Sequence, residues 1–579
     1  MSQVNIFDNK QFIGYVNDIN PSYIKVHFPS SVLLNKYFQD GAGLHSGIVG
    51  NYVLVEGEDH GFLAKVMEIS LPEKERLELT QDAFRSKEFH PTGKLELLLC
   101  FDYRSHHCTK GFNQFPAVGS KIYSCPDQFL SAILKDFGKG KDETKLFDMA
   151  MLPTNSATDV HISGQSLLSR HCAIVGSTGG GKSWTVAKTI EQIMRHNGKA
   201  ILIDATGEYA RFKEFYNEQV VRQVFNSKDE DNTFFHYTSL KETDLIAMFR
   251  PSGQAQLPKL QEALKSLRLV KILEAKAGLT KNDETIKTFF EARDGLDYRT
   301  LSKDSKPRKN FLVAFKDNDA VFKYTCDINI NALPRQVMKE CISDFSNSEN
   351  FGAENQTQLG HCQSLISRML LTLNNSDFKA VFGFEQQDGS KGLEKNINDF
   401  LANRKQHLLI IDTHLVPSDN SMRDILVNSI GRFLLEKALT EELKKSPLIL
   451  ILDEAHQFLN KKIKDEYSVE VDLNAFERIA KECRKFGLFL VIATQMPRDI
   501  PSGVLSQMGA FIVHRLINQK DREAIEYACS DANANALAFL PALSAGEALI
   551  TGVEFPMPII LKIKAPNCKP DSSTPPLFK

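Results

Sequence analysis

Gly176-Ser177-Thr178-Gly179-Gly180-Gly181-Lys182-Ser183 is the stretch on which the reading of this chain turns. It satisfies the spacing GxxxxGK[ST] at every position. It follows the apolar run His171-Cys172-Ala173-Ile174-Val175 and precedes Trp184 to Arg195, a segment compatible with a helix. Strand, glycine-rich loop and helix in that order form a phosphate cradle. The glycines let the backbone curl until successive N–H groups point at phosphate oxygens, and the following helix offers the positive end of its dipole. Gly176, Ser177, Thr178, Gly179, Gly180 and Gly181 are expected to line the phosphates. Lys182 is expected to reach the β- and γ-phosphates, and the Ser183 hydroxyl to ligate Mg²⁺.

A phosphate cradle needs a carboxylate for the metal, and the apolar run Leu448 to Leu452 ends in Asp453-Glu454. Asp453 is suited to hold Mg²⁺, directly or through water, and Glu454 to polarise the attacking water. A helix cap at a strand end is the plainer use of the same pair. The run Leu488 to Ala493 ends in Thr494-Gln495; the Gln495 amide can sense a γ-phosphate or orient water, or simply close a strand end. Asp204-Ala205-Thr206-Gly207-Glu208-Tyr209 follows the run Lys199 to Ile203. It adds two carboxylates near the same edge, because ligands of open α/β sheets bind at the carboxyl ends of strands. Arginine stabilises charge on a transferring phosphoryl group, often from a neighbouring subunit. Arg484, in the segment Lys481 to Lys485 before the strand at 488, is the first candidate. Arg170, beside the cradle strand, is the second; each also suits a solvated chain end. Lys461, Lys462 and Lys464 suit either a DNA channel or a solvated loop.

Further out, runs apolar at every position recur: Ala200 to Ile203, Leu408 to Ile411, Leu448 to Leu452, Leu488 to Ala493 and Phe511 to Val513. Such runs fit strands buried on both faces of a parallel sheet. The stretch Ser421 to Leu439, near helical spacing, lies between two of them in βαβ order, so the class is α/β. Residues from about 211 to 400 interrupt this pattern with amphipathic segments at Leu260 to Ile272 and Leu359 to Leu373. A basic run, Lys303, Lys306, Arg308 and Lys309, lies between them. The stretch is read as a mostly helical insertion. Before residue 150, short runs (12–16, 23–26, 52–55, 62–66, 95–101) broken by Gly, Pro, Asn and Asp indicate a small antiparallel β-barrel or sandwich. Phe137 to Glu143 reads as a linker, and the Pro- and Ser-rich tail from 566 to 579 as lacking its own core.

Composition narrows the possibilities. The chain has 579 residues, 70 Lys plus Arg and 72 Asp plus Glu, for a formal net charge of −2. A basic arm that binds nucleic acid by bulk charge is excluded, so any DNA contact must use a local basic surface or channel. No apolar run approaches the ~20 residues that cross a bilayer, and the N-terminus does not read as a secretory signal. Ten scattered cysteines without a CxxC pair fit a reduced cytoplasmic setting. His106-His107-Cys108 has no second ligand pair at matching spacing and reads as a solvated loop rather than a zinc site.

The ordered set GSTGGGKS (176–183), DATGEY (204–209), LILILDEAH ending at His456, ERIAKECRK (477–485) and ATQMPRDI (493–500) resembles the HerA-type ATPases, within the HerA/FtsK division of P-loop motors. The element at 204 usually reads DPHGEY in that family; here Ala205-Thr206 replaces Pro-His, which bears on fine positioning. The resemblance implies a RecA-like P-loop ATPase core over 151–565, preceded by a HAS-type barrel over 1–150. It further implies a homohexamer that hydrolyses ATP with Mg²⁺ at subunit interfaces and pumps duplex DNA through its centre. Such rings work with a separate effector, a nuclease or a sirtuin-type NAD hydrolase, in DNA-end processing or anti-phage defence, and the barrel is the face where it docks. The alternative is an assembly platform that activates a partner enzyme with ATP as a switch.

Overall fold

Tyr23–His27 alternates buried and partly exposed side chains, whereas Tyr52–Glu56, His60–Ser70 and Lys121–Ser124 are buried at consecutive positions. The structure is a computed structural model. It describes residues 7–34, 37–39, 42–44, 49–72, 89–103, 108–109, 114–135, 137–139, 145–153, 158–226, 228, 232–292, 298–343, 349–386, 392–459, 462–463, 471–529 and 534–572. The first strands are β1 (Phe12–Asn20), β2 (Tyr23–His27), β3 (Tyr52–Glu56), β4 (His60–Ser70), β5 (Thr92–Asp102), β6 (Cys108–Thr109) and β7 (Lys121–Ser124). They pair antiparallel in the order β2-β1-β7-β3-β4-β5-β6. β5 also pairs back onto β2, with Ile24 opposite Leu95, which closes six strands into a barrel. Ile13, Val16, Ile24, Val26, Val53, Phe62, Leu95 and Ile122 belong to one buried cluster that is the barrel's core. Each fully buried side chain of this kind contributes about 1.5–3 kcal/mol. Register shifts between Val16 and Asp18 and between Leu63 and Ala64 supply the local bends that closure requires.

The later strands are β8 (Leu146–Met151), β9 (Asp159–Ser163), β10 (Cys172–Val175), β11 (Lys199–Asp204), β12 (Val220–Phe225), β13 (Asn232–Thr233), β14 (Leu408–Asp412), β15 (Leu448–Leu452), β16 (Leu488–Thr494), β17 (Ala510–Val513), β18 (Glu547–Gly552) and β19 (Ile559–Ile563). Contacts divide the chain into two units. The first holds 1–192, 493–498 and 505–567; the second holds 193–492, 499–504 and 568–579. In the first, β9-β8-β19-β18-β17 is an antiparallel series, and β17 pairs parallel with β10, Val175 opposite Val513. In the second, β16-β15-β11-β14-β12-β13 is parallel at every pair. Parallel neighbours need crossovers, and the helix Met422–Leu439 lies between β14 and β15 as the spacing predicts, with Ile425, Leu426, Ile430 and Leu434 buried.

Between β13 and β14 the chain is helical for the most part, with Gln256–Ala275 and Gln356–Asn374 the longest helices. Three features differ from the sequence reading. Val220–Phe225, inside the stretch read as insertion, is a sheet strand. Lys303, read as part of a basic run, is buried: its ammonium lies 2.7 Å from Glu340 and 3.5 Å from Glu262. The supposed linker begins packed, with Phe137 buried and stacked on Phe555 at 5.1 Å. His106, His107, Lys461, Lys464, residues 140–143 and the last seven residues lie outside the described set. Among the described residues no helix is long and apolar enough to cross a membrane, and no cluster of His, Cys, Asp and Glu is disposed to hold a metal.

Candidate functional site

In the first unit, β10 is buried along its length and leads straight into the glycine loop, which gives way to the helix α1 (Lys182–Arg195). Gly179 (φ +75°) and Gly181 (φ +113°) hold backbone conformations that L side chains rarely adopt. The loop is anchored from below. The Gly176 N–H donates to Thr494 O at 3.2 Å, and the Ser177 N–H and hydroxyl both donate to Arg515 O, at 3.0 and 2.9 Å. The Gly546 N–H donates to Gly180 O at 3.1 Å. Thr178 and Gly179 are exposed, Ser183 is half-buried and Lys182 is buried at the first position of α1. A curled loop, a lysine and a hydroxyl at the head of a 14-residue helix are the donor set that a Mg²⁺-bound triphosphate needs, so these residues fit that group.

Gln495 is brought to the loop: the Thr178 hydroxyl donates to its amide oxygen at 2.8 Å. Arg170 is held differently. Its guanidinium pairs with Glu554, and its carbonyl accepts from the Gly509 N–H at 2.7 Å. His514, which the sequence reading passed over, lies buried beneath the loop, 2.7 Å from the Thr185 hydroxyl.

In the second unit, parallel register lines up acidic strand ends. Asp204 closes β11 directly opposite Asp412, which closes β14, and Asp453 follows β15. All three are buried. Asp204 organises the turn that follows it. Its carboxylate accepts from the Thr206 and Gly207 N–H groups at 3.1 and 2.8 Å, from the Tyr209 N–H at 3.1 Å, and from the Thr206 hydroxyl at 3.3 Å. The Thr206 side chain is therefore used in this version of the motif. Burial, then the charge of Asp412, pushes the Asp204 carboxyl up to about 6 despite those N–H groups. Asp412 is compensated by Arg222 at 2.7 Å and by the His414 ring at 2.6 Å. Glu208 is tied to the C-terminal segment, its carbonyl accepting from the Asp571 N–H at 2.8 Å.

The Asp453 N–H donates to Ile203 O at 3.2 Å, which ties this acidic end to β11. Glu454 occupies the left-handed region (φ 48°, ψ 44°), with His456 Nδ1 3.3 Å from its carboxylate. Arg484 sits in an exposed 3₁₀ turn, Arg484–Phe486. Asp412 carried a readable signal, an acid at the end of an apolar run, as at Asp204 and Asp453. Arg222 and His414 carried none.

The loop by itself defines the class, a P-loop nucleoside triphosphatase. The model of the family described as "Helicase HerA, central domain" matches residues 148–434, and that of "Helicase HerA-like C-terminal" matches residues 426–575. The chain belongs to the HerA-type ATPases. It is similar to a probable DNA double-strand break repair helicase HerA of Methanocaldococcus jannaschii, 23% identical over 78% of this chain and 81% of the other. It is also similar to the DNA double-strand break repair helicase HerA of Sulfolobus acidocaldarius, 23% identical over 79% and 76%. Among solved structures, VirB4 of Thermoanaerobacter pseudethanolicus aligns at TM-score 0.44 and 12% identity, over 74% of this chain and 98% of the other.

Proposed function

We propose that this ATPase is a DNA translocase or helicase that works as a homohexameric ring on duplex DNA, in a cytoplasmic setting. The observation that carries this reading is the complete phosphate loop in its strand–loop–helix setting, within a chain whose relatives are named as DNA helicases. In this reading Gly176 to Gly181 and Lys182 hold the phosphates, and Ser183 and Asp453 hold Mg²⁺. Glu454 takes the proton of the attacking water. Gln495, linked to Thr178, senses the γ-phosphate. Arg484 reaches a neighbouring subunit's nucleotide, and Arg170, engaged with Glu554, is the weaker candidate. Mg²⁺, once bound, neutralises charge on the phosphate oxygens. A separate effector, a nuclease or an NAD hydrolase, docks on the barrel over residues 1–150, in DNA-end processing or anti-phage defence.

The test is ATP hydrolysis with and without duplex DNA across a salt series. Stimulation by DNA that fades steeply with salt, as counterion release demands, is the expected result. Hydrolysis indifferent to DNA would favour the platform reading instead.

A further inference from the structure

The loop's anchoring raises the question of what forms its floor. His514 follows β17 and is buried, and its ring makes two hydrogen bonds of definite sense. Nδ1 lies 2.9 Å from Glu547 O, which can only accept, so Nδ1 carries the proton. Nε2, 2.7 Å from Thr185 Oγ1, therefore accepts from the Thr185 hydroxyl in the neutral ring. Burial favours that neutral form, holding the imidazole down at about 4. The His514 N–H also donates to Val175 O, the last residue before the loop, at 2.7 Å.

The glycines of the loop rest on this residue. A Cβ on Gly176 would lie 2.6 Å from His514 Cβ, and one on Gly181 would lie 3.2 Å from its Cε1. Thr185, in turn, lies in the first turn of α1, two residues beyond Ser183, and its carbonyl accepts from the Thr189 hydroxyl at 2.8 Å. His514 thus joins three elements: its backbone N–H ties to the strand before the loop, and its ring links the helix after the loop to β18.

We propose that His514 is a positioning residue for the phosphate loop: its ring, accepting from Thr185 and donating to Glu547, fixes α1 and the loop in a nucleotide-ready shape before nucleotide arrives. The inference rests on the nucleotide-binding role of that loop. A loop already shaped does not have to be ordered by the ligand, so the loss is expected in binding, in ground and transition states alike.

The experiment titrates the full chain with a non-hydrolysable ATP analogue and Mg²⁺. It is read by fluorescence of Trp184, the chain's single tryptophan, which neighbours Ser183. Thr185→Val, which keeps shape and removes the hydroxyl, should weaken binding by about tenfold. It should raise KM for ATP in proportion, with kcat within about twofold. Thr185→Ser should restore both. His514→Asn combined with Thr185→Val should bind no worse than His514→Asn alone, because both changes remove one link. Melting without nucleotide accompanies each titration. Wild-type affinity in Thr185→Val, whatever its melting temperature, would overturn the proposal, as would losses that multiply in the double variant. A wild-type chain that binds no nucleotide would overturn the nucleotide reading itself and this inference with it.

Discussion

Glu454 combines two properties that are rare together: it carries a carboxylate beside an acidic strand end, and its backbone is left-handed. Holding a non-glycine residue there costs about 1–3 kcal/mol, a cost that glycine would remove along with the carboxylate. Glu454→Gln is expected to bind ATP and lose roughly 10²–10⁴-fold in turnover, whereas Lys182→Ala loses hydrolysis altogether. Glu454→Gly should match Gln in turnover yet melt no lower; normal turnover in Glu454→Gln would assign the base elsewhere. His514 gives a pH-dependent expectation. The unfolded chain takes up a proton near 6.5 that the folded chain refuses until about 4. Its contribution to stability is therefore complete above 6.5 and lost as pH falls towards 4. Melting of wild type and His514→Asn across that window should show the wild-type advantage shrinking; an advantage constant with pH would contradict the buried neutral ring. Asp204 has the opposite sign, its contribution being lost as pH rises through about 6. The acids at 204 and 453 were legible because each ends an apolar run. His514 was not, because nothing in its neighbours marks a histidine that faces a glycine loop from below.

At the scale of elements, the fully apolar strands were readable because all but a position or two (Ile449, Phe489) are buried, whichever face they point to. The barrel strands were readable from short runs with turn residues between them. β12 was not. Its Arg222 and Gln223 break the apolar run, yet Arg222 belongs there because its guanidinium compensates buried Asp412 two strands' width into the sheet edge. The pairing partner lies 190 residues away in sequence, beyond the reach of any local pattern. Lys199 shows the same long-range economy. Its ammonium donates to the carbonyls of Phe400, Asn403 and Gln406, at 2.5, 2.7 and 3.3 Å, where the helix Leu393–Ala402 ends. Lys199→Met should leave these acceptors without their donor and lower stability by roughly 1–3 kcal/mol, read from the denaturant midpoint. An unchanged midpoint would mean that water replaces the ammonium without loss.

For the whole molecule, the proposed ring makes the arginine the informative residue. Arg484 is exposed in its own chain, as a group meant for a neighbour's nucleotide must be. Mixed rings of Lys182→Ala and Arg484→Ala subunits should recover part of the activity that each homogeneous ring lacks. No recovery in well-exchanged hexamers would count against a role across subunits. The class of the core was legible from one eight-residue stretch, while oligomeric state and partner are properties of surfaces that motif spacing does not encode. The barrel carries a consequence for any such partner. Among the described residues its hydrogen-bonded ring closes on itself; the strand appended to it, β6, is two residues long, and the separate pair Tyr37–Gln39 and Ala42–Leu44 has three residues a strand. Strand addition, in which a peptide pairs with an exposed sheet edge, has only these short edges as a template among the described residues. A partner docking on these described strands would be gripped by side chains and turns more than by the backbone ladder, so single substitutions that leave the ladder untouched should weaken it.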